Sequence, residues 1–168
     1  MDIKSLSEKY IVKEADYTDL NQIFHLCQDN ELYFKYCPPM VTIEGIEEDM
    51  NALPPGVSKE NKHYLGFYNP TDKKLLAVMD LVEGYPDSTT IYIGFFMLDT
   101  EIQGQGIASE LIEEVLNNLK ELGFKKAKLG YVEGNPQATN FWKKNNFVET
   151  GRKLQFDEYV AIDAERKL

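Results

Sequence analysis

Residues 89 to 132 carry the pattern that most limits how this chain can fold. TTIYIGFFML (89–98) is a β-branched and aromatic run of strand length, and KAKLGYV (126–132) is a second. Between them, residues 109–122 put Leu111, Ile112, Val115, Leu116, Leu119 and Leu122 on one side of a helix. Gly123 stands where a helix C-cap favours a left-handed residue. Strand, long helix and strand form a crossover, which makes the two strands parallel and the connection right-handed.

The flanking segments build outward from that unit. EKYIVKEA (8–15) reads as a first strand, followed by a helix over 18–28 with Thr18 as N-cap and Leu20, Ile23, Phe24 and Cys27 on its apolar face. An acidic helix over 42–53 is ended by LPPG. KHYLGFY (62–68) and KLLAVMDLVE (74–83) are joined by NPTDK, and GYPDS leads on to 89–98, so the three strands form an antiparallel meander. After the fifth strand, EGNPQ opens a short helix over 137–144, and strands over 147–155 and 158–165 close the chain. The order β-α-α-β-β-β-α-β-α-β-β predicts one α/β domain over 1–168. Its mixed sheet has about seven strands, mostly antiparallel with the fourth and fifth parallel, and four helices.

With a formal charge of −10, the surface repels nucleic acid phosphate and anionic lipid, which argues against both as partners and favours a cationic ligand such as an amine. No apolar run is long enough to span a bilayer, and the polar start does not read as a signal peptide. Cys27 and Cys37 have no metal-ligand spacing with His25 or His63, so no metal is expected, and two free thiols fit a reducing cytoplasm.

Gly104-Gln105-Gly106, between the fourth strand and the long helix, is the chemically suggestive turn. Chain with little Cβ bulk can point successive amides into one concavity, and the helix N-terminus adds further donors and its dipole. A plain strand-to-helix turn would also use these glycines. A P-loop is excluded because no GxxxxGK string occurs. A Rossmann turn fails because Ser109 occupies its last glycine position and lysines 125, 126 and 128 follow where an acid is needed.

Gln103-Gly104-Gln105-Gly106-Ile107-Ala108 instead matches Gln/Arg-x-x-Gly-x-Gly/Ala. Downstream, NPQATNFWKKNNF supplies Asn135, Ala138, Phe141-Trp142 and Phe147. With these two motifs in this order, the chain resembles the GNAT superfamily of acetyl-CoA-dependent N-acetyltransferases from Tyr10 to its end. The resemblance implies that the fourth and fifth strands splay to admit acetyl-CoA. Its pyrophosphate would rest on the amides of Gly104, Gln105, Gly106, Ile107, Ala108 and Ser109, with Gln103 opening the motif. Its pantetheine arm would pair with the backbone of Phe96, Met97 and Leu98, where one amide would polarise the thioester carbonyl. Asn135 would steady the arm or, as its place before Pro136 also permits, cap a helix. Trp142 would lie beside the bound donor.

The implied reaction is direct attack of a small primary amine on the thioester, without an acyl-enzyme, in a monomer or homodimer. The Tyr that usually protonates the departing thiolate is replaced by Trp142, which is no practical acid. Where relatives carry a strand Glu, this chain has Tyr92 or Gly130. Tyr92 is the first candidate for acid or proton relay, with a packed strand tyrosine the alternative; Glu83 and Asp80 on the neighbouring strand are candidates for the base, or else solvated carboxylates. His25 reads as structural, and His63 is a weak catalytic candidate. Cys37 is set aside for lack of a neighbouring base. Acceptor recognition is expected from 31–56 and 84–88, with acids (Glu31, Glu44, Glu47, Glu48, Asp49, Asp87) and aromatics (Tyr33, Phe34, Tyr36, Tyr85) suiting an amine or polyamine. The alternatives are a non-catalytic acyl-CoA-binding domain and a peptide N-terminal acetyltransferase.

Overall fold

The computed structural model describes residues 1–168 and contains one seven-stranded sheet. Its strands are β1 (Ile11–Glu14), β2 (Lys62–Tyr68), β3 (Leu75–Glu83), β4 (Thr90–Leu98), β5 (Lys126–Val132), β6 (Val148–Gln155) and β7 (Val160–Lys167), ordered β1-β2-β3-β4-β5-β7-β6. Every neighbouring pair is antiparallel except β4 and β5. The helices are α1 (Leu20–Gln28), α2 (Glu31–Tyr36), α3 (Ile43–Asn51), α4 (Ile107–Glu121) and α5 (Pro136–Lys144).

The crossover β4–α4–β5 is as the periodicity requires. Leu111, Ile112, Val115, Leu116 and Leu119 are fully buried and pack with Leu65, Met79, Leu81, Ile91, Ile93 and Leu129 on one sheet face. On the other face, Leu20, Ile23 and Cys27 of α1 and Ile46 of α3 cover Tyr64, Tyr68, Val78 and Met97. The sheet is therefore buried on both sides at its centre.

Two local expectations differ. α1 begins at Leu20 and Thr18 is not its cap; the Thr18 hydroxyl donates to Asp16 Oδ1 at 2.6 Å within the preceding turn. Thr42 does cap α3, accepting from Gly45 N. The fifth helix, α2, is one the apolar period does not mark: it is six residues long, has no capping side chain and buries no residue fully. No helix is long and apolar enough to cross a membrane.

His63 is buried, with its ring nitrogens 2.5 Å from Glu14 Oε1 and 2.6 Å from Glu83 Oε1. Its bond to Glu14 above all, then Glu83, holds the imidazolium pKa above 6.5. A raised histidine stabilises the fold fully below its unfolded value and loses that contribution as pH rises through the folded one. Urea unfolding is therefore expected to show stability falling as pH climbs above 6.5, and His63→Gln is expected to flatten that slope. An equal slope in both proteins would remove His63 as its source.

Candidate active site

β4 and β5 pair only from Thr90–Lys126 to Ile93–Leu129. Beyond that point they part, and a cavity of about 490 Å³ opens between them. It reaches both faces of the sheet because successive β4 side chains alternate. Phe96 stacks on Phe141 of α5, with centroids 5.8 Å apart, while Phe95 meets Tyr33 of α2 edge-on at 5.7 Å.

The glycine turn stands at the α4 side of this wedge. Gly104 and Gly106 have φ of +75° and +87°, and Gly106 is the N-cap of α4. The left-handed backbone explains the glycines, since a Cβ at either would meet nothing within 4 Å. From Gly104 to Ser109, no backbone N–H donates to another group of the protein. Ile107 and Ala108 begin the helix and pack partly against the core, and Ser109 Oγ accepts from Asn145. The Gln103 amide donates to Asn30 Oδ1 (2.7 Å) and to the Leu98 carbonyl (3.0 Å), and Gln105 donates to the Glu101 carbonyl. Asn30 also donates to Leu98 O, at 3.1 Å. Asn30, Gln103 and the end of β4 thus form one brace. Met97 and Leu98 are buried and Phe96 is partly so. Asn135 satisfies both alternatives left by its sequence: its oxygen caps α5 at Gln137 N and Ala138 N, and the residue lines the cavity.

Of the three expected proton-transfer groups, Tyr92 lines the cavity, and Asp80 lies against the lining residue Gly94 without lining the cavity itself. Register slips between Asp80 and Leu81, so Gly94 is an extra residue in β4. The Asp80 carboxylate fills the space a Cβ on Gly94 would occupy, with Cγ 3.0 Å from that position. Oδ2 accepts from Lys62 Nζ at 2.9 Å, while Oδ1 is buried without a partner. Burial raises the Asp80 pKa to about 6 despite Lys62. Tyr92 lines the cavity and points at β5, its hydroxyl 3.4 Å from where a Gly130 Cβ would lie. Burial first, then Asp163, raises its pKa, so it holds its proton at neutral pH.

Glu83 is a correction. It lies on the sheet face opposite to Asp80 and is engaged by His63 and by the Met1 amino group, 2.8 Å away, so it is outside the cavity. One residue along a strand reverses the side, so Asp80 and Glu83, three apart, cannot share a face. His63 belongs to the same network. Trp142 is 8 % exposed and packs on Phe96, Phe141 and Phe147, which makes it a wall of the cavity. Cys37 lines the cavity beside Tyr33 and Tyr159.

Of the residues expected at the acceptor mouth, Tyr33 lines the cavity, and Asp49 acts on Tyr33 and Tyr159 from outside the lining. None of Glu31, Glu44, Glu47, Glu48, Asp49 or Asp87 lines the cavity; all are solvent-exposed. Sequence reasoning missed Asn30, a buried polar residue just past α1, and Phe156 and Tyr159, which the β6–β7 hairpin brings to the cavity. Gly94 was signalled only as an isolated glycine inside a strand, a common mark of a bulge.

The family model for the acetyltransferase (GNAT) family matches residues 20–147, which contain the wedge, the glycine turn and α5. The chain belongs to this family. GNAT proteins are acyl-CoA N-acyltransferases. No curated protein matches the sequence. Among solved structures, the fold is similar to that of an acetyltransferase from Thermus thermophilus (TM-score 0.74, 16 % identity, covering 95 % of this chain and 97 % of that one). It is also similar to a spermidine N-acetyltransferase from Vibrio cholerae in complex with CoA and spermine (0.69, 18 %, 96 % of each). A third is the ribosomal-protein-S18-alanine N-acetyltransferase from Escherichia coli (0.64, 15 %, 94 % and 93 %). A polyamine and a protein alanine appear as acceptors in these names, so the GNAT fold alone does not select the acceptor.

In this GNAT chain the bulge has a checkable cost. Gly94→Ala is expected to push the Asp80 carboxylate off Lys62 and lower stability by about 1–3 kcal/mol, measured by urea unfolding. An unchanged midpoint would mean the carboxylate yields freely.

Proposed function

We propose that this chain transfers the acetyl group of acetyl-CoA to a primary amine of a small molecule by direct attack. The observation that carries the proposal is the parted pair β4 and β5, with a row of unbonded amides at one side of the opening. The residues fit the donor. Gly104 to Ser109 present N–H groups and the positive end of α4 to a pyrophosphate. Phe96 to Leu98 offer strand backbone to an extended arm, and because the Leu98 carbonyl already accepts twice, Phe96 and Met97 are the more available pair. Acetyl-CoA supplies an activated thioester.

Asp80 serves as base. Its Oδ2, the oxygen that lies against Gly94, takes the ammonium proton through one water beside that glycine, leaving the amine lone pair free to attack. Lys62 donates to the same oxygen and so keeps the carboxyl in place. Tyr92 gives a proton to the thiolate as the new C–N bond forms and the C–S bond breaks, and the second N–H proton, lost as the amide forms, restores the Tyr92 hydroxyl. The lack of a base near Cys37 argues for attack without an acyl-enzyme.

Two outcomes check these assignments. Because Asp80 titrates near pH 6, kcat/KM is expected to fall as pH drops through about 6. Asp80→Asn is expected to abolish that limb and to cost on the order of 10²–10⁴ in rate, without changing acetyl-CoA affinity. A retained limb would dismiss Asp80 as base. Gly106→Glu forces a side chain into left-handed backbone and adds a negative charge to the amide row. It is expected to erase the thermal stabilisation that acetyl-CoA gives the native chain; undiminished stabilisation would refute the cradle. Acetyl-CoA stabilisation without coenzyme A release on any amine or peptide would indicate a binding domain.

A further inference from the structure

The cavity has two chemically different halves. The α4–α5 half is the one the donor needs. The other, on the α1–α3 face and under the β6–β7 hairpin, is walled by Tyr33, Tyr92, Phe95, Phe156 and Tyr159. Phe156 and Tyr159 stack on each other with centroids 4.7 Å apart, and Phe156 is 45 % exposed, an uncovered large apolar ring at a cavity wall. No Asp, Glu, Lys, Arg or His side chain lines either half.

These facts constrain the acceptor. One ammonium has a partner: Asp80, behind Gly94, which takes its proton. Any further ammonium on the same molecule would stay charged among aromatic walls. The carboxylates that act on those walls, Asp49 on Tyr33 and Tyr159 and Asp163 on Tyr92, are outside the lining and already face Lys62 and Lys128. An unpaired buried charge is strongly disfavoured. Ring faces and edges favour a planar apolar body and lend cation–π support to one amine as it enters. The overall charge of −10 attracts cations of any valence to the surface, so selection falls to the cavity.

We infer that the acceptor is a primary monoamine with an aromatic body, seated between α2 and the β6–β7 hairpin, and not a polyamine. This rests on the transferase reading above and narrows its acceptor. The step is the same: the amine nitrogen takes the acetyl carbon, the C–S bond breaks, Asp80 receives the ammonium's first proton, the thiolate gains one from Tyr92, and the second N–H proton restores the Tyr92 hydroxyl.

Free-thiol detection of coenzyme A tests it with 2-phenylethylamine, tryptamine, putrescine, spermidine and an alanine-initiated tripeptide amide. The aromatic monoamines are expected to exceed spermidine in kcat/KM by about tenfold or more. Phe156→Leu and Tyr159→Leu are expected to raise KM for 2-phenylethylamine about fivefold and leave the acetyl-CoA Kd unchanged. Equal or better use of spermidine, putrescine or the peptide overturns the inference, as does turnover with no aromatic amine. Acetyl-CoA thermal stabilisation, measured alongside, separates the failures. Turnover of another amine leaves the transferase reading standing, stabilisation without any turnover defeats transfer but keeps the donor site, and neither defeats both.

Discussion

The decisive constraint is that two parallel strands at the centre of the sheet stop pairing halfway. A sheet normally closes such a gap, because each open ladder position leaves backbone donors and acceptors unmatched. Here the gap is held open from both ends. Gly94 adds a residue to β4 and re-aims the strand against Asp80, and Asn30 and Gln103 bind the Leu98 carbonyl at the far end. Phe96, Phe141 and Trp142 fill one flank and Tyr33 with Phe95 the other, so the strands have packed walls against which to diverge. The glycine turn follows directly from this geometry, since β4 must leave the wedge sharply to start α4.

The same opening explains why the buried Lys62–Asp80 pair is tolerated. Lys62 Nζ also donates to the Asp49 carbonyl at 2.8 Å, so the ammonium ties α3 to β3 while neutralising half of a carboxyl group. The uncompensated oxygen is an energetic defect in a core built otherwise from matched groups. Such defects concentrate where a protein does chemistry. Tyr92, across the wedge with its hydroxyl toward Gly130, is the second proton-bearing group on that face.

How far the sequence foretold this depends on the range of the interaction. The crossover, the meander and the C-terminal hairpin were legible because apolar period and turn residues are local signals, and the two motifs identified the family. α2 was not, since six residues without a cap carry no period. Glu83 was misplaced as a site candidate because three residues along a strand change the face, and its partners Met1 and His63 come from distant chain. The acidic helix over 43–51 suggested a charged mouth, yet none of its carboxylates lines the cavity, and part of the wall comes from residues 154–159, more than a hundred positions away. Pairings of that separation leave no mark on local composition.

The parted strands also alter the usual gradient of rigidity in a sheet. In most sheets the central strands exchange their amide hydrogens most slowly and the edges fray first. β4 lies in the middle of this sheet, but past Ile93 the amides that face away from β3 have no partner strand. Unpaired ladder positions therefore lie in the middle of the sheet as well as at its edges β1 and β6, and a partner that pairs with them completes the sheet as an eighth strand would, from the inside.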